Sequence, residues 1–163
     1  MKKLCALMLG MLLVLGSIIA GHASGKPAFT EDFDPAPYLG TWFMYSMETP
    51  DGIEYTQEYD YFCPLYVTAD GRAVLGTVGD TTYFLWGNDA GFVYMADPYG
   101  MGDDLTVQLY DADKPMMSLN VYAPDGTLTL SMVFTAEAPR GGEIPAMPAF
   151  PADAEPVIPR RQP

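Results

Sequence analysis

Histidine occurs once in the 163 residues, at position 22, and cysteine twice, at positions 5 and 63. Basic residues number eight against 21 acidic ones. Each scarcity closes off chemistry. With one histidine near the start, imidazole triads, Cys–His dyads and imidazole metal sites lack their working group. Lysine stands only at positions 2, 3, 26 and 114, and Lys114 sits in a hydrophilic turn, so the abundant Ser and Thr hydroxyls have no evident base to activate them. A net charge of −13 argues against nucleic acid and anionic membrane surfaces as partners, because both are bound through cations. Carboxylates are plentiful, but most fall in turns, where Asp is the expected turn residue. No convergent acid–base set emerges, and the chain reads as non-enzymatic and without a cofactor.

There is one long apolar run, from Leu4 to Ala20, preceded by Lys2-Lys3 and followed by the small residues Gly21, Ala23 and Ser24. That layout predicts a secretory signal peptide over 1–23, cleaved after Ala23. At 17 residues the run is at the short edge for a membrane-spanning helix. A lipid anchor would need a cysteine just after it, whereas Cys5 lies at its front. Cleavage removes Cys5, His22 and two lysines. It leaves six basic against 21 acidic residues, a net charge of −15. The expectation is a secreted, acidic protein with no stable membrane association. Its remaining thiol, Cys63, cannot form an internal disulfide, so the core must hold unstapled. Cys63 reads as a small buried apolar residue, with an intermolecular disulfide as the alternative.

Residues 24–37 form a polar, proline-broken lead-in in which Phe29 and Phe33 are placed to pin the segment across one end of the domain. From there the pattern is short strands and tight turns. Strands are expected over 40–47, 65–69, 72–78, 81–86, 91–96, 104–110, 116–122 and 127–135. Asp70-Gly71 and Asp125-Gly126 mark hairpins. The last three strands alternate cleanly, with Leu128, Leu130, Met132 and Phe134 on one side of the final strand and Thr127, Thr129 and Ser131 on the other. No long 3.6-residue period follows the leader. The fold class is therefore all-β, an eight-stranded antiparallel up-and-down barrel over 38–136, closure removing the exposed edges of an unstapled sheet. The connection 48–63 is the longest and could hold a short helix or a ragged strand. Residues 137–163, with seven prolines from position 139 onward, read as a disordered or extended tail.

Leu39-Gly40-Thr41-Trp42 opens the first strand with a Gly-x-Trp signature. Together with Asp51-Gly52 and the Asp-Gly hairpins, it resembles the lipocalin (calycin) superfamily, in particular its small bacterial secreted members. The resemblance covers about residues 38–135. It implies that Trp42 sits at the closed end of the barrel, with Gly40 and Trp86 completing a structural base. It also implies a basic residue near the end of the last strand, a role for which the sequence offers only Arg140. If strand 1 starts at the closed end, the turns 48–63, 79–80, 97–103 and 123–126 gather at the mouth. Tyr55, Tyr59, Tyr61 and Phe62 would then frame a pocket there together with Tyr99, since amphipathic aromatics supply both area and a hydrogen-bonding tip. The same rings would equally serve to cap the core. Asp97, Asp103 and Asp104 flank a Gly-rich loop, but their spacing is not that of an EF-hand, and a solvated turn is the better reading.

The first reading is a secreted, non-enzymatic, lipocalin-like binding protein for a small apolar or amphipathic ligand at the barrel mouth. The alternative is a filled barrel that acts through its surface as a protein-binding or inhibitor-type module. An eight-stranded barrel is just wide enough to be filled by side chains or to hold one small ligand. With Trp42 inward, Met44 and Ser46 share its phase, and nearly every inward position of the other strands carries a large side chain, which points to a crowded interior.

Overall fold

The computed structural model describes residues 29–55, 63–77, 79–89, 91–99, 103–110, 114–138 and 144–153. The signal peptide expected over 1–23 lies outside these, as do residues 24–28 of the lead-in. Nine strands form among the described residues: β1 (Gly40–Thr49), β2 (Gly52–Tyr55), β3 (Pro64–Val67), β4 (Arg72–Thr77), β5 (Asp80–Asp89), β6 (Phe92–Ala96), β7 (Leu105–Tyr110), β8 (Met116–Tyr122) and β9 (Leu128–Thr135). All pairings are antiparallel between neighbours, and β9 returns to pair with β1. The sheet is thus a closed barrel. It has eight positions around its circumference because β2 and β3 share one edge of β1: Ser46–Thr49 pair with β2 and Gly40–Phe43 with β3. The sole helical turn among the described residues is a 3-10 turn at Ala36–Tyr38.

Both Asp-Gly hairpins are built alike. Gly71 N–H donates to Thr68 O and Gly126 N–H to Ala123 O, and each glycine has a positive φ, 82° and 83°. This is a three-residue loop ending in a left-handed residue, a conformation that glycine adopts without steric cost.

The strand expectations need four corrections. The first strand runs on to Thr49, and a two-residue turn at Pro50-Asp51 folds Gly52–Tyr55 back as β2, so the start of the 48–63 connection is sheet. The turn placed at Gly87-Asn88-Asp89-Ala90 begins later, because β5 continues through Asp89. The inward phase of β1 changes part-way. The register against β9 steps from Met44↔Phe134 to Ser46↔Val133, leaving Tyr45 as a bulge. A bulged residue reverses the alternation beyond it, so Met47, paired with Met132, faces the interior and Ser46 faces out. A second slip, between Val121↔Leu130 and Tyr122↔Leu128, puts Leu128 on the outside, 37% exposed.

Inward cross-strand pairs run around the barrel without a break in chemistry: Trp42–Leu65, Leu65–Leu75, Ala73–Phe84, Trp86–Met95, Val93–Val107, Val107–Leu119, Leu119–Met132 and Phe134–Met44. Cys63 belongs to the same core, as the sequence implied. On the outside of β8 and β9, Asn120 donates to Ser118 Oγ (2.9 Å) and accepts from Ser131 Oγ (2.7 Å), so these buried polar groups satisfy one another.

Candidate functional site

The two ends of the barrel differ in construction. β1 rises from the lead-in, so the β3–β4 turn at 68–71 and the facing ends of β5 and β6 lie at the lead-in end, and the turns 49–52 and 123–127, the facing ends of β4 and β5 and those of β6 and β7 lie at the other. The lead-in end is plugged. Phe29 and Phe33 stack at 5.6 Å, and Phe29 meets the Trp86 ring edge-on at 4.6 Å. Tyr38 packs on Trp86 at 5.9 Å. Each tryptophan N–H is satisfied locally: Trp42 Nε1 donates to Tyr38 O (2.9 Å) and Trp86 Nε1 to Thr68 O (2.8 Å). Thr30 and Asn88 exchange two hydrogen bonds, Thr30 N–H to Asn88 Oδ1 at 2.9 Å and Asn88 Nδ2 to Thr30 Oγ1 at 2.8 Å. The lead-in therefore lies across the base, where Phe29 and Phe33 were expected to hold it. Gly40 enters β1 at φ +118°, a backbone conformation that L side chains rarely adopt.

The interior above this plug is occupied by side chains. Leu65, Leu105, Met117, Leu119 and Phe134 are 0% exposed, and Trp86 and Met95 are 1% exposed. Met47 and Leu130, nearer the mouth, are only partly buried against the core.

Of the five aromatics expected to frame the mouth, Tyr59, Tyr61 and Phe62 lie outside the described residues. Tyr55 is placed by its backbone, at the end of β2. Tyr99 stands on the 97–104 loop, 51% exposed. Its backbone N–H donates to Asp97 Oδ1 (2.6 Å), and its hydroxyl donates to Asp153 Oδ1 (3.1 Å). The Tyr99 phenol is held above its ordinary value, first by desolvation and then by the hydrogen bond to Asp153 and the nearby negative charges of Asp153 and Asp97. The structure thus brings Tyr99 together with a residue of the C-terminal segment. Among the described residues, no three His, Cys, Asp or Glu side chains are grouped to hold a metal ion, and no helix is long and apolar enough to cross a membrane.

Residues 144–153 belong to the stretch expected as a disordered or extended tail, and they lie against the outside of β3, β4 and β5. Tyr66 donates its hydroxyl to Pro145 O. The Phe150 ring meets Tyr83 edge-on at 5.4 Å, and the Arg72 guanidinium sits 5.3 Å above it. The signal for this was present, since Pro145, Pro148 and Pro151 recur every third residue with Phe150 among them.

No protein-family model, curated protein or solved structure matches the chain.

Proposed function

We propose that the chain is a secreted, non-enzymatic, lipocalin-like barrel that works as a protein-binding module through its outer surface. The observation that carries this reading is the filled interior. A ligand-carrying barrel keeps its inward positions small or its centre empty, whereas here the central Leu, Met, Phe and Trp side chains are 0–1% exposed. The Gly40-Thr41-Trp42 opening, with Trp42 near the plugged base, supports the lipocalin likeness. The leader-like pattern of the first 23 residues and the acidic charge support the proposed extracytoplasmic location.

A second reading, a small apolar ligand held at the mouth, draws on the partial exposure of Met47 and Leu130 and on the prominence of Tyr99. Native mass spectrometry of the protein after incubation with a lipid extract separates the two. The surface reading expects only the mass of the bare chain. A stoichiometric small-molecule adduct that survives desolvation would replace it with the mouth-ligand reading.

A further inference from the structure

Residues 144–153 meet the barrel at Pro145, Phe150 and Asp153, and their prolines recur with a period of three. Pro145, Pro148 and Pro151 repeat as the turns of a polyproline II helix do, and such a helix makes no internal hydrogen bonds and offers its carbonyls to whatever it lies on. The segment joins no strand ladder, so barrel side chains hold it. Tyr66 and Tyr83 flank Val74 across β3, β4 and β5 in register. The first binds the Pro145 carbonyl and the second packs on Phe150. Val74 between them is 0% exposed, and Leu85, paired with Arg72, is 3% exposed. A hydroxyl on a proline carbonyl, rings on rings and prolines at every third position are the means by which aromatic grooves hold proline-rich peptides.

The segment leaves part of this groove unsatisfied. Arg72 Nε is buried with no acceptor among the described residues, while the far end of the same guanidinium pairs with Asp70 at 3.4 Å. A buried donor without a partner costs free energy that a ligand oxygen at that point would recover.

We infer that the outer face of β3, β4 and β5 is a docking groove for an extended, proline-spaced peptide of a partner protein, one bearing a carboxylate beside its aromatic residue. The chain's own 144–153 segment fills the groove until it is displaced. This rests on the reading of the chain as a protein-binding module and names the site that does the binding. A tethered segment competes at high effective concentration. A displacing peptide therefore needs an advantage, and a charge-assisted bond to Arg72 supplies it. The chain's overall negative charge repels acidic peptides at long range, so the partner segment carries that one carboxylate in an otherwise neutral stretch.

The test uses the full chain with Phe150→Ala, which loosens the tethered segment without touching the barrel interior. Three labelled synthetic peptides are titrated by fluorescence anisotropy: the 144–153 sequence itself, the same with Ala149→Glu, and the same with Pro151→Glu. The variant should bind the unmodified peptide. It should bind at least one Glu-bearing peptide about tenfold more tightly, the gain of one charge-assisted hydrogen bond. Wild-type chain should bind each more weakly than the variant does. Adding Arg72→Ala should abolish the preference for the Glu-bearing peptides, and Tyr66→Phe, which removes only a hydroxyl, should weaken all three. Absence of binding to the Phe150→Ala chain, or equal affinity for the three peptides, overturns the inference. Dimers formed by exchange of the segment would assign the groove to a second copy and overturn it too. A protein partner bound equally by wild type, Tyr66→Phe and Arg72→Ala would dismiss the groove and leave the module reading standing. A retained small molecule in native mass spectrometry would instead remove that reading itself.

Discussion

Replacing Trp86 with alanine removes a side chain that is 1% exposed and touches Phe29, Phe33 and Tyr38 of the lead-in. A buried tryptophan takes roughly 200 Å² out of water. At about 25 cal/mol per Å² that is about 5 kcal/mol, an upper bound because the unfolded chain hides part of the ring. Thr68 O also loses its donor at 2.8 Å, which costs about 1 kcal/mol. Partial collapse of the site offsets some of this, so the expected loss is about 3–5 kcal/mol. A domain of this size ordinarily has about 5–15 kcal/mol to lose, so the variant should still fold in mild buffer. Trp86→Phe keeps a ring and drops the N–H, and should lose about 1–2 kcal/mol. Urea unfolding followed by far-ultraviolet circular dichroism, with Trp42 as the remaining indole, measures both. A loss under about 1 kcal/mol for Trp86→Ala would refute the buried-base account, since no packed core loses an indole so cheaply. A double-mutant cycle with Phe29→Ala extends the test. A coupling of about 0.5–1.5 kcal/mol is expected of the edge-on pair, and a coupling of zero would detach the lead-in from the barrel.

Gly40→Ala should destabilise by about 1–3 kcal/mol through backbone strain alone, because φ is +118° and nothing lies within 4 Å of an added Cβ. A change within about 0.5 kcal/mol of zero in the same unfolding assay contradicts this. Cys63 is 5% exposed inside the barrel, so its thiol should react with Ellman's reagent only as the chain unfolds, and rapid modification of the native protein would place it elsewhere. Asp125 accepts the Thr127 N–H at 2.9 Å, and this bond, with that of the Thr127 hydroxyl, holds its carboxyl below the ordinary 3.8. A depressed carboxylate contributes stability above its unfolded value that is lost as pH falls through the folded one. Carboxyl carbon NMR should therefore find the Asp125 midpoint below 3.8, and a midpoint at or above it would show the turn bond to be absent in solution.

What the sequence made legible was local. Asp-Gly at 70–71 and 125–126 encodes its own turn, because a left-handed glycine after an Asp-bearing turn depends on few distant contacts. The inward phase of β7 and β8 follows from simple alternation, and Phe29 and Phe33 announced themselves as apolar residues in a polar segment. The failures are non-local. The bulge at Tyr45 is set by the register between β1 and β9, almost ninety positions apart, and nothing in Met44-Tyr45-Ser46-Met47 marks which residue is the extra one. Ile53-Glu54-Tyr55 is too short to alternate, so β2 is recognisable only from its partner strand. At the other end, the Tyr99 bond to Asp153 joins segments that pattern reasoning treats separately. The 144–153 segment was hardest to see, since a proline-spaced stretch reads as tail until Tyr66, Arg72 and Tyr83 are assembled beside it from three strands.

The central claim is that the barrel interior is filled and the chain acts from its surface. Methyl NMR tests it directly. With Leu and Met methyls labelled, the protein is titrated with a lipid extract and with a long-chain fatty acid, and the signals of Leu65, Leu105, Met117 and Leu119 are followed. These interior methyls should keep their positions throughout, with any shifts confined to the mouth-side Met47 and Leu130. Saturable shifts of the interior set, at a stoichiometry near one, would show a ligand inside the barrel and contradict it.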